Sequence, residues 1–242
     1  MQLLIADLHL QPDQPEIAKG FIDYLRGPAR EASSLTILGD LFEAWIGDDY
    51  RGDFEQKIIA ELRACHEAGT RLAFMHGNRD FLIGESFAAD SGCALLDDPT
   101  VVELAGQRVL LMHGDSLCTR DEAYMAFRQQ SRNPAWQAQI LAMPVEERLA
   151  LAKQLRQQSG EANSNKAEDI MDVTPSAVVE AMRTHGVAVM IHGHTHRPAV
   201  HKLDIDGQAA TRYVLGDWRP DQGWQLRAEA SSLTLESFPL SP

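Results

Sequence analysis

The chain has 242 residues, of which 44% are hydrophobic and 24% are charged, and this composition excludes a collagen-like or mostly disordered protein. The formal net charge of −13 opposes broad binding to nucleic acid, so we expect no nucleic-acid partner. Any phosphate-bearing ligand must therefore be attracted locally, by a cation or by a small basic cluster.

Five short apolar runs occur along the chain, and each leads into residues that bind metals or phosphates. The runs start at Leu3, Leu35, Arg71, Val109 and Val187. Apolar runs of this length predict strands that are buried on both faces, and helical patterns lie between them at 16–26 and 54–68. Strands that alternate with helices predict an α/β fold with a largely parallel sheet. Ligands of such sheets bind beyond the carboxyl ends of the strands, where all five polar clusters fall.

The segment 116–185 has no strand-like run and predicts several helices instead. A capping box at Thr119 begins one helix, a second is predicted at 144–160, and Thr174 precedes the last. This segment is nearly neutral, whereas the rest of the chain carries almost all of the negative charge. We interpret it as a helical cap inserted over the strand-end site, within a single domain that spans residues 1–242.

From Ala199 onward the pattern changes to β. Polar and apolar residues alternate at 201–205, and the Asp206-Gly207 pair that follows is typical of a hairpin turn. Further strands are predicted at 211–215, 223–229 and 232–238. No internal repeat or low-complexity segment occurs in the chain.

The polar clusters supply seven candidate metal ligands of carboxylate, amide and imidazole type. They are Asp7, His9, Asp40, Asn78, His113, His194 and His196. Seven ligands exceed the needs of one metal but suit two metals if one carboxylate bridges them. Oxygen and imidazole donors without thiolate favour Mn²⁺, Fe²⁺ or Zn²⁺. Two such metals could clamp a phosphoryl group and would attract phosphate to an acidic protein.

Taken in order, the five clusters resemble the motifs of the calcineurin-like metallophosphoesterases. That family shows D-x-H, GD-x-x-[DE], GN-[HR]-[DE], H and GH-x-H, each after a strand. The matching segments here are Asp7-Leu8-His9, Gly39-Asp40-Leu41-Phe42-Glu43, Gly77-Asn78-Arg79-Asp80, His113 and Gly193-His194-Thr195-His196. The resemblance covers 1–118 and 186–218 and implies two packed mixed β-sheets flanked by helices.

Arg79 departs from most of that family, which has a histidine at this position. Arginine stays protonated near neutral pH and cannot act as a general acid, but it can hold phosphate oxygens and stabilise developing charge. Together with the stretch 44–49 and the helical insertion, Arg79 resembles one branch of the family. That branch is the UDP-2,3-diacylglucosamine pyrophosphatases of lipid A synthesis, and the resemblance extends over essentially the whole chain.

The resemblance to this branch implies two Mn²⁺ ions per chain and a specific reaction. One metal would take Asp7, His9 and His196, and the other Asn78, His113 and His194, with Asp40 bridging. The substrate would be a UDP-linked glucosamine with two acyl chains, and water would attack the phosphorus nearer uridine to give UMP and the diacylated sugar 1-phosphate. Arg79, Asn78 and His194 would be the catalytic residues. Substrate contacts would come from Asn78, Arg79, Asp121, Ser159, Asn163, Lys166 and His194.

The apolar positions of the cap leave two interpretations open. The spacing of these positions fits an acyl-chain pocket and simple packing of the cap helices equally well; they are Tyr124, Phe127, Ile140, Leu149 and Met171. If a pocket is present, its candidate walls are Tyr124, Phe127, Leu149 and Met171. The apolar mouth of such a pocket could rest on the inner membrane without an anchor. No apolar run approaches the roughly 18 residues of a membrane-spanning helix.

Three sparse cysteines and an N-terminus without a basic, apolar leader indicate a reducing compartment. We therefore expect a cytoplasmic monomer that binds peripherally to the cytoplasmic face of the inner membrane. Two other functions stay open: another dinuclear phosphoesterase, such as a nucleotide or protein phosphatase, and a non-catalytic scaffold on the same fold. Arg79 and the cap argue against the former, and the complete set of ligand positions argues against the latter.

Overall fold

The computed structural model describes residues 1–164, 170 and 172–240, and the side chains of these residues except those of 158–164. The strands are β1 (Gln2–Ile5), β2 (Ser34–Leu38), β3 (Arg71–Met75), β4 (Cys93–Leu96), β5 (Thr100–Leu104), β6 (Gln107–Met112), β7 (Val189–His192), β8 (Ala199–Ile205), β9 (Gln208–Val214), β10 (Gln222–Glu229) and β11 (Ser232–Pro239). The helices are α1 (Pro15–Arg26), α2 (Pro28–Glu31), α3 (Asp53–Glu67), α4 (Glu85–Ser91), α5 (Glu122–Ser131), α6 (Pro134–Leu141), α7 (Val145–Ser164) and α8 (Pro175–His185).

The strands form two mixed sheets. One has the order β11-β10-β1-β2-β3-β4, in which β1 to β4 run parallel and β10 and β11 are antiparallel. The other has the order β5-β6-β7-β9-β8, in which β6, β7 and β9 are parallel and the two edge strands are antiparallel. Since the polar clusters follow β1, β2, β3, β6 and β7, parallel pairing within each sheet brings their carboxyl ends to one edge.

The two sheets pack face to face and are covered by helices on their outer sides. Leu4 of β1 lies in a buried cluster with Val109 and Ile191 of the second sheet, whereas Leu3 and Ile5 point the other way, into a cluster with α1, α3 and α4. Helix α8 covers the outer face of the second sheet. Burial of the central strands on both faces explains their continuous apolar sequences, and the expected fold of two mixed sheets flanked by helices is confirmed.

All five apolar runs form strands, and the β pattern after Ala199 is also confirmed. Strands β4 and β5 were not predicted, because both are edge strands that are only partly buried and carry exposed residues such as Glu103. An edge strand buries only part of its surface, so it lacks the continuous apolar signal of the central strands.

Helices α5, α6, α7 and α8 lie between β6 and β7, as the segment 116–185 predicted. The first of them begins two residues later than the expected capping box: Asp121, not Thr119, is its N-cap and accepts a hydrogen bond from the Tyr124 N–H at 3.1 Å. Helix α7 also continues through Gly160 to Ser164. A glycine inside a helix costs only about 1 kcal/mol, which neighbouring helical residues offset. None of the described helices is long and apolar enough to cross a bilayer.

Candidate active site

The loops that follow the central strands place the predicted ligands next to one another. The Asp7 N–H donates to the Gly39 carbonyl at 3.1 Å, and the His9 N–H donates to the Asp40 carbonyl at 2.9 Å. These bonds extend the parallel pairing of β1 and β2 past the ends of the strands. Main-chain hydrogen bonds alone therefore hold the loop after β1 against the loop after β2.

Five of the seven predicted ligands have a left-handed backbone conformation. They are Asp7 (φ 56°), His9 (φ 49°), Asp40 (φ 53°), His194 (φ 69°) and His196 (φ 54°). A residue other than glycine in this region is uncommon and costs of order 1–3 kcal/mol, so it persists only where the surrounding structure enforces it. Such residues cluster at functional sites, and here they turn the chain sharply so that successive side chains face the same point.

Asp7, His9 and His196 form one group of possible metal donors. The Nε2 atoms of His9 and His196 are 3.1 Å apart, and Nε2 of His196 lies 3.6 Å from Oδ1 of Asp7. Asp7 is fully buried, and its Oδ1 has no hydrogen-bond partner among the described residues. These three donors lie within 4.8 Å of one another.

Asp40, His113 and His194 form a second group of the same kind, and Asn78 lies between its two imidazoles. The Asn78 Oδ1 is 3.0 Å from Nε2 of His113 and 2.9 Å from Nδ1 of His194. The other ring nitrogen of His113, Nδ1, is 2.8 Å from the carbonyl of Leu38. That contact places the ring proton on Nδ1 in the neutral imidazole and leaves the Nε2 lone pair facing the Asn78 oxygen.

Asp40 belongs to the second group and also lies close to the first. Its Oδ2 is 3.8 Å from Nε2 of His9 in one group and 3.8 Å from Nε2 of His113 in the other. The close approach of two backbones makes this possible, because a Cβ at Gly77 would lie 2.0 Å from Oδ1 of Asp40. Glycine at position 77 is thus a steric requirement for the placement of Asp40.

The donor geometry fits two cations. Lone pairs that face one another at 2.9–3.8 Å repel unless a proton or cation lies between them, and such separations suit donors around an ion at about 2.0–2.2 Å. Burial would lower the pKa of His9 and of His113, yet Glu43 and Asp40 act on His9, and Asp40 and Asp115 act on His113, to raise both to about 9. The carboxylates thus create a negative potential that favours positive charge.

His194 differs from these two histidines. Burial, together with the charge of His113, lowers the pKa of His194 to about 4, so its imidazole is neutral at physiological pH. Its ring also stacks on that of Tyr124, with centroids 5.8 Å apart, so helix α5 reaches the donor cluster directly.

Two further carboxylates support the cluster without belonging to either donor group. Glu43 lies 2.7 Å from Nδ1 of His9 and 3.0 Å from Nη2 of Arg156, which links a candidate ligand to helix α7. Asp80 is fully buried and accepts hydrogen bonds from the N–H groups of Gly77 at 2.8 Å and Leu41 at 2.7 Å. Burial and the nearby Asp40 raise the pKa of Asp80 to about 7. The motif residues therefore orient ligands and loops as well as supplying donors.

A cavity of about 550 Å³ joins the donor cluster to the cap. On one side it is lined by His9, Asp40, Asn78, Arg79, His194 and His196. Apolar side chains line the other side, including Trp45 and Phe81 of the body and Phe127, Trp136, Ile140 and Leu155 of the cap. A polar end with metal donors and a long apolar end suit a ligand that carries both phosphate and hydrocarbon.

Some of the predicted substrate-contact residues line this cavity, and the side chains of the others lie outside the part of the chain that the structure describes. Arg79, Asp121, Asn78 and His194 line it. The side chains of Ser159 and Asn163, and all of Lys166, lie outside the described residues, as does Met171. Tyr124 and Phe127 line the cavity, whereas Leu149 is 43% exposed and is not among the residues that line it.

Several cavity residues were not predicted from the sequence. Trp136 sits on α6, which was not recognised as a separate helix, although its spacing of four from Ile140 places both on one helical face. Arg156 and Arg197 also line the cavity. Pro134 after Asn133 was an available signal for the start of α6, because proline is favoured at the first position of a helix and asparagine at its N-cap.

Comparison with known proteins places this geometry in a family. The family model for the calcineurin-like phosphoesterases matches residues 3–198. A protein of Chromohalobacter salexigens named UDP-2,3-diacylglucosamine hydrolase is 63% identical over 227 residues, which are 94% of this chain and 92% of that protein. Proteins with the same name from Pseudomonas savastanoi pv. phaseolicola and Pseudomonas aeruginosa are 52% and 53% identical over 100% and 98% of this chain, and over 97% and 99% of their own lengths.

The family match spans the strand edge that carries all seven candidate ligands, and the relatives align over the cap as well. The chain belongs to the calcineurin-like phosphoesterase family and, within it, to the group that contains these UDP-2,3-diacylglucosamine hydrolases.

Proposed function

We propose that this protein hydrolyses the pyrophosphate bond of UDP-2,3-diacylglucosamine in lipid A biosynthesis and releases UMP and 2,3-diacylglucosamine 1-phosphate. The observation that carries the proposal is the cavity in which two groups of metal donors face an apolar lining supplied largely by the cap. Relatives that bear the name UDP-2,3-diacylglucosamine hydrolase are 50–63% identical to this chain, and this likeness supports the same substrate.

We propose that the cofactor is a pair of Mn²⁺ ions. Asp7, His9 and His196 would hold one ion, and Asn78, His113 and His194 the other, with Asp40 shared between them. The all-oxygen-and-nitrogen donor set suits Mn²⁺. Two such ions supply Lewis acidity, lower the pKa of water and offset charge on the leaving phosphate.

The protein's own residues would position the phosphate. The Arg79 guanidinium faces the cavity and can hold two phosphate oxygens at once, because its donors form a fixed fork. Its backbone N–H donates to Oδ1 of Asp40 at 2.8 Å, which ties the phosphate-binding residue to the donor cluster. Water attacks the phosphorus nearer uridine, and Asn78 and His194, whose side chains meet at 2.9 Å, hold the reacting end of the cavity.

The apolar end of the cavity would hold the acyl chains. Each buried methylene contributes about 0.8 kcal/mol, so two chains supply far more binding energy than the sugar alone. The substrate is a membrane lipid, and we propose that the protein works as a monomer bound peripherally to the cytoplasmic face of the inner membrane. The apolar side chains near the cavity then meet the lipid without a spanning helix.

Turnover of UDP-2,3-diacylglucosamine by the purified protein tests the proposal. Protein treated with a chelator should be inactive, and added Mn²⁺ should restore activity. In ¹⁸O-labelled water, mass spectrometry should find the label in UMP and none in the sugar phosphate. Full activity of metal-free protein would refute the metal dependence, and label in the sugar phosphate would refute the site of attack. If a substrate panel showed faster hydrolysis of nucleotides or phosphoproteins than of UDP-2,3-diacylglucosamine, the proposed substrate would be wrong.

A further inference from the structure

Helix α5 contacts the body through three side chains that are four residues apart. Tyr124, Arg128 and Arg132 therefore share one face of the helix. The Tyr124 hydroxyl donates to Oδ2 of Asp115 at 2.6 Å, and the Nε of Arg128 donates to the same oxygen at 2.9 Å. Asp115 is fully buried and lies two residues after His113. The first two side chains thus dock the cap helix on one buried carboxylate.

Arg132, the C-cap residue of α5, makes a different connection. Its Nη2 donates to the main-chain carbonyl of Gly77 at 3.0 Å and to that of His76 at 3.3 Å. The same nitrogen is 3.7 Å from Oδ2 of Asp115. His76 and Gly77 directly precede Asn78 and Arg79, so this one side chain links the cap to the loop that carries both residues.

The peptide before Asn78 is held from two sides. On the side of the body, the Gly77 N–H donates to Asp80, and on the side of the cap the Gly77 carbonyl accepts from Arg132. Hydrogen bonds to charged groups contribute about 1.5–3 kcal/mol each. With both bonds in place, the peptide plane has little freedom to rotate, and the Asn78 oxygen stays 2.9–3.0 Å from the two imidazoles.

We propose that Arg132 is a positioning residue for the hydrolytic reaction. It fixes the His76–Gly77 main chain so that Asn78 and Arg79 keep the geometry required at the phosphate, and it couples helix α5 to the catalytic edge. The inference rests on the proposed phosphoesterase function and adds a residue outside the donor groups. A misplacement of about 1 Å at a reacting centre can lower the rate about 100-fold. Loss of this contact should therefore change kcat much more than KM.

The test compares Arg132→Gln, Arg132→Lys and the matched control Arg128→Gln, all as full-length protein loaded with Mn²⁺. A glutamine side chain at this position is too short to span both carbonyls, whereas lysine keeps the charge and the reach for at least one of them. We measure kcat and KM for UDP-2,3-diacylglucosamine and for bis(p-nitrophenyl) phosphate, the Mn²⁺ content per chain and the thermal midpoint. Arg128→Gln removes contacts with Asp115 and Asp98 from the same helical face but leaves the Arg132 contacts with His76 and Gly77 in place.

Arg132→Gln should lower kcat about 10- to 100-fold on both substrates, with KM and bound Mn²⁺ changed by less than about threefold, and Arg132→Lys should recover part of kcat. Arg128→Gln should lower the thermal midpoint similarly while kcat falls much less. A wild-type kcat for folded, metal-loaded Arg132→Gln would overturn the proposal, as would equal losses of kcat in Arg132→Gln and Arg128→Gln. Failure of the wild type on the lipid substrate alone would refute the proposed function, and the small diester would still decide the role of Arg132.

Discussion

The strand edge and the cap contribute to the same cavity by different physical means. At the strand edge, donors such as Asp7 and His113 are fully buried, several have left-handed backbones, and loop-to-loop hydrogen bonds set their positions. The cap contributes mostly apolar side chains on helices, and charged side chains such as Arg148, whose Nη1 donates to the Ile46 carbonyl at 2.7 Å, anchor it to the body. The strand edge thus supplies the possible metal donors, and the cap supplies most of the apolar lining.

The largest effect should come from the carboxylate shared by both donor groups. Asp40→Asn keeps the shape of the side chain but removes the negative charge between the two groups. We expect turnover to fall about 10³-fold or more, because several kcal/mol of charge stabilisation depend on both ions and each 1.4 kcal/mol is a factor of ten. Metal content per chain should also fall, as measured by inductively coupled plasma spectrometry.

Asp206→Asn is the matched control, since Asp206 lies in the exposed turn after β8 and pairs with Arg183 far from the cavity. It should keep wild-type turnover and metal content. Two bound Mn²⁺ ions and normal turnover in Asp40→Asn would contradict a shared role for this carboxylate.

Arg79→Lys should have the next largest effect at the strand edge. Lysine keeps the positive charge but cannot hold two phosphate oxygens with a planar fork, so we expect kcat to fall about 100-fold. Metal binding should not change, because Arg79 supplies no metal donor. Steady-state kinetics with a parallel metal analysis would measure this, and an unchanged kcat would remove Arg79 from the catalytic residues.

A bulky residue on the cap side of the cavity should weaken binding of the diacylated substrate without slowing hydrolysis of a small phosphodiester. Ala152 on α7 lines the cavity, whereas Ala150 on the same helix is exposed. Ala152→Trp should raise KM for the diacylated substrate about tenfold or more, because it displaces several methylenes worth about 0.8 kcal/mol each. Cleavage of bis(p-nitrophenyl) phosphate should be preserved, and Ala150→Trp should match the wild type on both substrates. Equal effects of the two tryptophans would argue against an acyl pocket at this position.

The smallest effect is expected at Leu149. Because this side chain is exposed and does not line the cavity, Leu149→Ser should leave kcat/KM for the diacylated substrate within about twofold, as is usual for surface substitutions. A large loss would restore Leu149 as a wall of the pocket and would require a different arrangement of α7.

The strand edge was more predictable from the sequence than the cap. Asp7, Asp40 and His113 each follow a continuous apolar run, and parallel pairing brings such positions together whatever the details of the loops. Edge strand β5 was not predicted, since only part of its surface is buried. The left-handed conformations of the ligands were also not foreseen, because they depend on contacts between loops that are distant in sequence.

The cap was less predictable because the orientation of each helix depends on contacts with the body. The apolar pattern of α7 does not say which apolar residues line the cavity: Leu155 lines it, whereas Leu149 is exposed and does not. The role of Asp121 as the N-cap of α5 and the reach of Arg132 to the Gly77 carbonyl are tertiary features. Local propensity is a weak guide to such positions.

The most direct test of this division of labour compares two substrates on the unmodified protein. With Mn²⁺ present, we measure kcat/KM for UDP-2,3-diacylglucosamine and for UDP-N-acetylglucosamine, which has the same pyrophosphate but no long acyl chains. We predict a preference of at least about 10³-fold for the diacylated substrate, because the apolar lining contributes binding energy only when methylenes fill it. Similar values of kcat/KM for the two substrates would show that the apolar lining does not select the diacylated substrate.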